Sequence, residues 1–93
     1  MAKKLNEDEI KWILSVESSK AQQEIHKLTK ANRELNKTNK ERRELMRELE
    51  AQGEKESDAY KRLDEEIKKS NKTISTNNKL IGELEKKLAA ILS

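Results

Sequence analysis

The chain has 93 residues, of which 32% are hydrophobic and 42% charged, with one Trp, one Tyr, no Phe, no Pro and no Cys. So few large apolar side chains exclude an ordinary compact enzyme core, and the lack of cysteine excludes a disulfide framework or a thiolate metal site. A net charge of +3, from 21 basic and 18 acidic residues, is too small and too interleaved to mark a polyanion partner by itself.

The start, Met1-Ala2-Lys3-Lys4, leads into Asn6-Glu7-Asp8-Glu9 and not into an apolar stretch, so neither a signal peptide nor a membrane span is expected. The default location is the cytoplasm of the producing cell. Residues 1–17 form a first zone, an N-terminal extended or strand segment. Within it Ile10, Trp12, Leu14 and Val16 alternate with Lys11 and Ser15, which is strand period and favours a short β-strand. The competing reading is a helix capped by Asn6 with Glu9 three residues on.

The second zone opens at Ser18-Ser19, where Ser19 followed by Gln22 has the capping-box spacing. A heptad series follows, with Ile25, Asn32, Asn39 and Met46 at a and Ala21, Leu28, Leu35, Arg42 and Leu49 at d. It stops at Ala51-Gln52-Gly53, where Gly53 can take the left-handed conformation that ends a helix. Ser57-Asp58 is a second start signal. The third zone repeats the pattern, with Tyr60, Ile67, Ile74, Ile81 and Leu88 at a and Leu63, Ser70, Asn77, Leu84 and Ile91 at d.

Two helices of about 18–51 and 58–91, joined by a loop of about 52–57, predict an all-α fold, an antiparallel two-helix coiled-coil hairpin over residues 18–91. Antiparallel packing sets a against d at a constant sum of residue numbers. The layers are then Ala21–Leu88, Ile25–Leu84, Leu28–Ile81, Asn32–Asn77, Leu35–Ile74, Asn39–Ser70, Arg42–Ile67, Met46–Leu63 and Leu49–Tyr60. Asn32, Asn77, Asn39 and Ser70 are the register-setting core, because a slip of one heptad leaves buried amides without partners. Arg42 against Ile67 is the poor layer, and its guanidinium is expected to snorkel to solvent.

One hairpin with polar middle layers buries little, so self-association is expected, as a dimer. The candidate interface consists of Trp12, Ile13 and Val16 with an outer strip of Ala31, Leu45, Ala59 and Leu80. No catalytic, cofactor-binding or metal-ligating set is readable. His26 stands alone on a solvated face, and Asp64-Glu65-Glu66 lacks the turned loop of a calcium site. Asn36-Lys37-Thr38 and Asn71-Lys72-Thr73 match the glycosylation sequon but read as polar flanks where no secretory signal is expected. Every basic cluster, Arg42-Arg43 and Lys68-Lys69 included, is interrupted by acids, and no aromatic stacking platform exists. A small nucleic-acid-binding or regulatory coiled coil is therefore the second reading, not the first.

The stretch Ile10-Lys11-Trp12-Ile13-Leu14-Ser15-Val16-Glu17-Ser18-Ser19-Lys20-Ala21-Gln22-Gln23-Glu24-Ile25 resembles the N-terminal segment of phage tail tape measure proteins. In that family a short hydrophobic strand, small and acidic residues and then Ala-Gln lead into a long helix rich in Lys, Glu and Leu. The resemblance implies a structural phage or prophage protein located in the virion tail. It also implies partners among tail assembly chaperones and tail tube or tip proteins, and no catalytic residues.

Overall fold

A computed structural model describes residues 6–92, and it consists of two helices, α1 from Glu7–Ala51 and α2 from Asp58–Leu92. Together they form an elongated helical hairpin measuring 72 × 22 × 16 Å. The absence of Pro and the abundance of Lys, Glu, Leu and Arg allow helices of 45 and 35 residues to run without a break.

The N-terminal segment departs from the expected strand. Residues 10–16 are helical, and no strand occurs among the described residues. The start of α1 is fixed at Asn6, whose side chain accepts the Glu9 backbone N–H at 2.8 Å and donates from Nδ2 to Glu9 Oε1 at 2.9 Å. Reciprocal capping of this kind, with Glu7, Asp8 and Glu9 at the positive end of the helix, outweighs an alternation only a few residues long. Ser18 and Ser19 are consequently interior helical positions, not a boundary, and α1 starts at Glu7 instead of near residue 18. The first five residues of the expected 1–17 segment lie outside the described residues.

The turn follows the sequence closely. Gln52 caps α1 and Gly53 has φ +74°. The Gly53 N–H bonds to the Glu50 carbonyl at 3.0 Å, and the Glu54 N–H reaches back to the Leu49 carbonyl at 2.8 Å. This pair of bonds satisfies carbonyls that the helix end would otherwise leave open. Ser57 then starts α2: its Oγ accepts the Tyr60 N–H at 3.2 Å and its carbonyl accepts the Lys61 N–H at 3.1 Å.

Contacts between the helices move in step along them. Glu50 meets Tyr60, Arg42 meets Ser70, Asn39 meets Asn71 and Asn32 meets Asn77. Every residue placed at a or d from Ala21 to Ile91 is buried or half-buried, so the heptad pattern selects the inner face along the whole hairpin. Few side chains are fully covered, because a second helix shields only one side of the first. Among the described residues the buried set is Ala21, Ile67, Asn32, Asn39 and Ser70.

Candidate functional site

Two features stand out from an otherwise charged, solvated rod: a polar network in the middle of the seam and an apolar surface at one end. The network starts at Asn32, which is 9% exposed. Its Oδ1 accepts from Asn77 Nδ2 at 2.9 Å, and its own Nδ2 donates to Asn78 Oδ1 at 3.0 Å. The pairing expected of Asn32 and Asn77 is therefore present, with Asn78 as an additional acceptor. Two turns along, Asn39 is the most deeply buried large side chain, at 1% exposure. Its amide reaches Asn71 Oδ1 at 3.4 Å.

Arg42 connects this part of the seam. Its guanidinium donates to Asn39 Oδ1 at 2.9 Å and to Ser70 Oγ at 2.8 Å, and its Nε lies 3.3 Å from Glu66 Oε2. Asn39 and Ser70 are thus brought to one site through Arg42, and Arg42 does not snorkel away. Its side chain is only 22% exposed. The planar fork of donors explains the difference: oxygens on both helices and a carboxylate at the rim satisfy it better than exit to water would. No buried side-chain nitrogen or oxygen among the described residues lacks a hydrogen-bond partner.

The heptad pattern does not single out Asn71, Asn78 or Glu66. A signal for the first two does exist. Each directly follows a polar d residue, Ser70 or Asn77, and the two recur at the seven-residue interval that separates Asn32 from Asn39. At the turn, the Tyr60 hydroxyl donates to Glu50 Oε1 at 2.7 Å. This hydrogen bond, with smaller contributions from partial burial and from the nearby carboxylates, raises the Tyr60 pKa from its ordinary 10.0. On the exposed face of α2, Asp64 accepts from Lys68 at 2.9 Å and raises that lysine's pKa from 10.5, chiefly through the hydrogen bond.

The candidate interface residues divide into two groups. Ile91 of α2 shares a groove with Lys11, Leu14, Ser15, Ser18 and Gln22, so among the described residues the start of α1 overhangs α2. This overhang carries Trp12 at 68% exposure, Ile10 at 43% and Leu14 at 36%, with Ile13 and Val16 half-buried. The outer strip is less continuous. Leu80, 41% exposed, lies beside Leu28 and Leu84 in a groove rimmed by Glu24, Glu83 and Lys87. Leu45, 50% exposed, stands seventeen residues beyond Leu28 on α1, roughly 25 Å away by the helical rise. Ala31 is half-buried and Ala59 exposed, and neither joins the two leucines into one patch.

His26 is exposed, and among the described residues no three His, Cys, Asp or Glu side chains are grouped to hold a metal ion. Neither described helix is long and apolar enough to cross a membrane. No protein-family model matches the chain, and no curated protein or solved structure matches it either.

Proposed function

We propose that the chain is a structural assembly module, an antiparallel coiled-coil hairpin that associates with a second copy of itself through its overhanging end. The observation that carries this reading is the exposure of Ile10, Trp12 and Leu14 in the first turns of α1, where only Leu14 shares a groove with a described residue of α2, Ile91. A rigid aromatic anchor flanked by aliphatic side chains is the usual make-up of an interface centre. The satisfied amide and guanidinium seam gives the rod one register from which such an end can be presented.

The wider assignment is the N-terminal part of a phage or prophage tail tape measure protein. Its support is the resemblance over residues 10–25, although the short strand of that pattern is helical here. On this assignment the module reaches the virion tail after synthesis in the cytoplasm, and tail assembly chaperones and tail tube or tip proteins are its partners. The interleaved charges, with Lys68 held by Asp64 and Arg42 by Glu66, leave nucleic-acid binding the weaker alternative.

Sedimentation equilibrium tests the self-association. A dimer at low micromolar concentration that becomes a monomer on Trp12→Ala is expected, whereas a well-folded native monomer under the same conditions overturns the reading. Genes for tail tube, tip or chaperone proteins beside the coding sequence would support the tape measure assignment, and a neighbourhood without them would remove it.

A further inference from the structure

The two heptad series share one phase across the turn. Position a runs Met46, Gly53, Tyr60, and position d runs Leu49, Glu56, Leu63, each at intervals of seven. Nothing in the seam requires this, since each helix of a hairpin meets its neighbour with a phase of its own. Were the turn helical, one apolar stripe would continue from Ala21 to Ile91 on one side of a single rod.

Only local features prevent that. Gly53 sits at φ +74°, a conformation that L side chains rarely adopt, and the Leu49 and Glu50 carbonyls are closed by the turn. A Cβ at Gly53 would meet nothing within 4 Å, so the position is free of packing and its one special property is the backbone angle. The rest of the turn, Gln52 and Glu54 through Ser57, contains no proline.

We infer that the partner fitted by the inner seam is a second copy of this chain, in an exchanged dimer where α1 of each chain packs on α2 of the other. Two straight chains laid antiparallel reproduce every layer of the hairpin twice, including Asn32 against Asn77 and the Arg42 cluster. The new contacts are two layers of Gly53 against Glu56 at the centre of the rod. These are poorly packed and polar, and they hold the hairpin as the state at low concentration. Exchange must also compete with the short turn, which holds α1 and α2 at an effective concentration in the millimolar range. Removing the left-handed residue and filling the central layers shifts the balance to the rod. This inference rests on the coiled-coil seam of the proposed function and is independent of its overhanging end.

The chain lacks cysteine, which allows a direct test. Leu28→Cys is made in one preparation and Ile81→Cys in another, both in native sequence, in Gly53→Ala and in Gly53→Ala with Glu56→Leu. The two preparations are mixed, unfolded, refolded together and oxidised. A mixed disulfide between position 28 of one chain and position 81 of another is the expected product. Its yield should rise with concentration in native sequence and appear at an at least tenfold lower concentration with Gly53→Ala. X-ray scattering of the doubly substituted chain should show the longest dimension growing from the 72 Å of the hairpin to roughly 140 Å.

Absence of the mixed disulfide in all three backgrounds up to millimolar concentration overturns the inference. So does a Gly53→Ala chain that keeps the hairpin dimensions at every concentration. If the doubly substituted chain loses its helical signal, Gly53→Ala alone decides, because it alters no seam layer of the hairpin. A dimer that forms without the mixed disulfide and depends on Trp12 overturns exchange while leaving the end-to-end association intact. Mixed disulfide formation that is indifferent to Trp12→Ala separates the two in the opposite direction.

Discussion

The middle of the hairpin and the first turns of α1 distribute polarity in opposite ways. Between Asn32 and Ser70 the seam encloses amides, a hydroxyl and a guanidinium, while the overhang leaves Ile10, Trp12 and Leu14 in water. Hydropathy alone would have exchanged these environments. What decides burial in a two-helix rod is whether a second helix lies alongside, and among the described residues α2 runs beside α1 as far as the groove that Ile91 shares with Leu14 and Ser18. Polar groups in the seam are tolerated because each finds a partner across or along it and so avoids the cost that an unpaired buried amide would incur.

The sharpest way to break this contrast is to delete one apolar side chain from each region. Ile67→Ala removes a buried core residue and should cost about 2–3 kcal/mol in urea unfolding. Trp12→Ala, measured where the chain is monomeric, should stay within about 0.5 kcal/mol of the native value despite removing a larger side chain. An equal loss from both would mean that the overhang is packed in the monomer.

Arg42→Ala is next in size. It takes one partner from Asn39 and one from Ser70, and a loss of about 1–3 kcal/mol is expected. Arg42→Lys should recover only part of it, because a single ammonium cannot span the same fork of acceptors. Recovery to native stability with lysine would show that charge near Glu66, and not the geometry of the donors, is what matters.

The paired asparagines give effects of opposite sign. Asn32→Leu alone strands Asn77 and should lower stability by about 1–2 kcal/mol. Combined with Asn77→Leu it should raise the melting temperature above that of the native chain while loosening the register, which nitroxide distances between labels on α1 and α2 would detect. A double variant less stable than either single one would show that the seam depends on this amide layer for more than alignment.

The smallest expected effect lies at the turn. The Tyr60 pKa is raised by its bond to Glu50, so the folded state favours the protonated phenol. The associated stability is complete below the unfolded value of 10.0 and is lost as pH climbs through the higher folded value. Thermal midpoints above pH 10 should fall more steeply in the native chain than in Tyr60→Phe, and parallel curves would leave the bond without energetic weight.

Much of this arrangement is legible in one dimension. Gly53 and Ser57 mark the turn because each carries a local chemical requirement, a left-handed backbone and a hydroxyl cap, that few residues satisfy. The Asn32–Asn77 pair follows from periodicity, since helices fixed in phase have little freedom to choose another layer. The beginning of α1 is ambiguous in the sequence because Ser18-Ser19 has a capping composition equal to that of Asn6 with Glu9. Which cap is used depends on whether the helix already continues through it. Arg42 departs from the expected exit to solvent for a different reason. A long side chain with several donors satisfies partners a turn away on two helices, and a heptad diagram records only the layer from which it starts. The surface at the start of α1 is legible only in part: composition marks Trp12, Ile13 and Val16, whereas the helical phase exposes Ile10 and Leu14 beside Trp12 and leaves Ile13 and Val16 half-buried.

The turn has one more consequence. Its residues Gln52 to Glu56 are exposed, and with Ser57 they form the covalent tie between α1 and α2. Proteolysis after Lys55 would sever that tie without touching any residue of the seam, turning an intramolecular fold into a complex of two peptides. The dissociation constant of the nicked product would then express the strength of the whole seam, apolar layers and polar network together, as an affinity measurable by simple dilution.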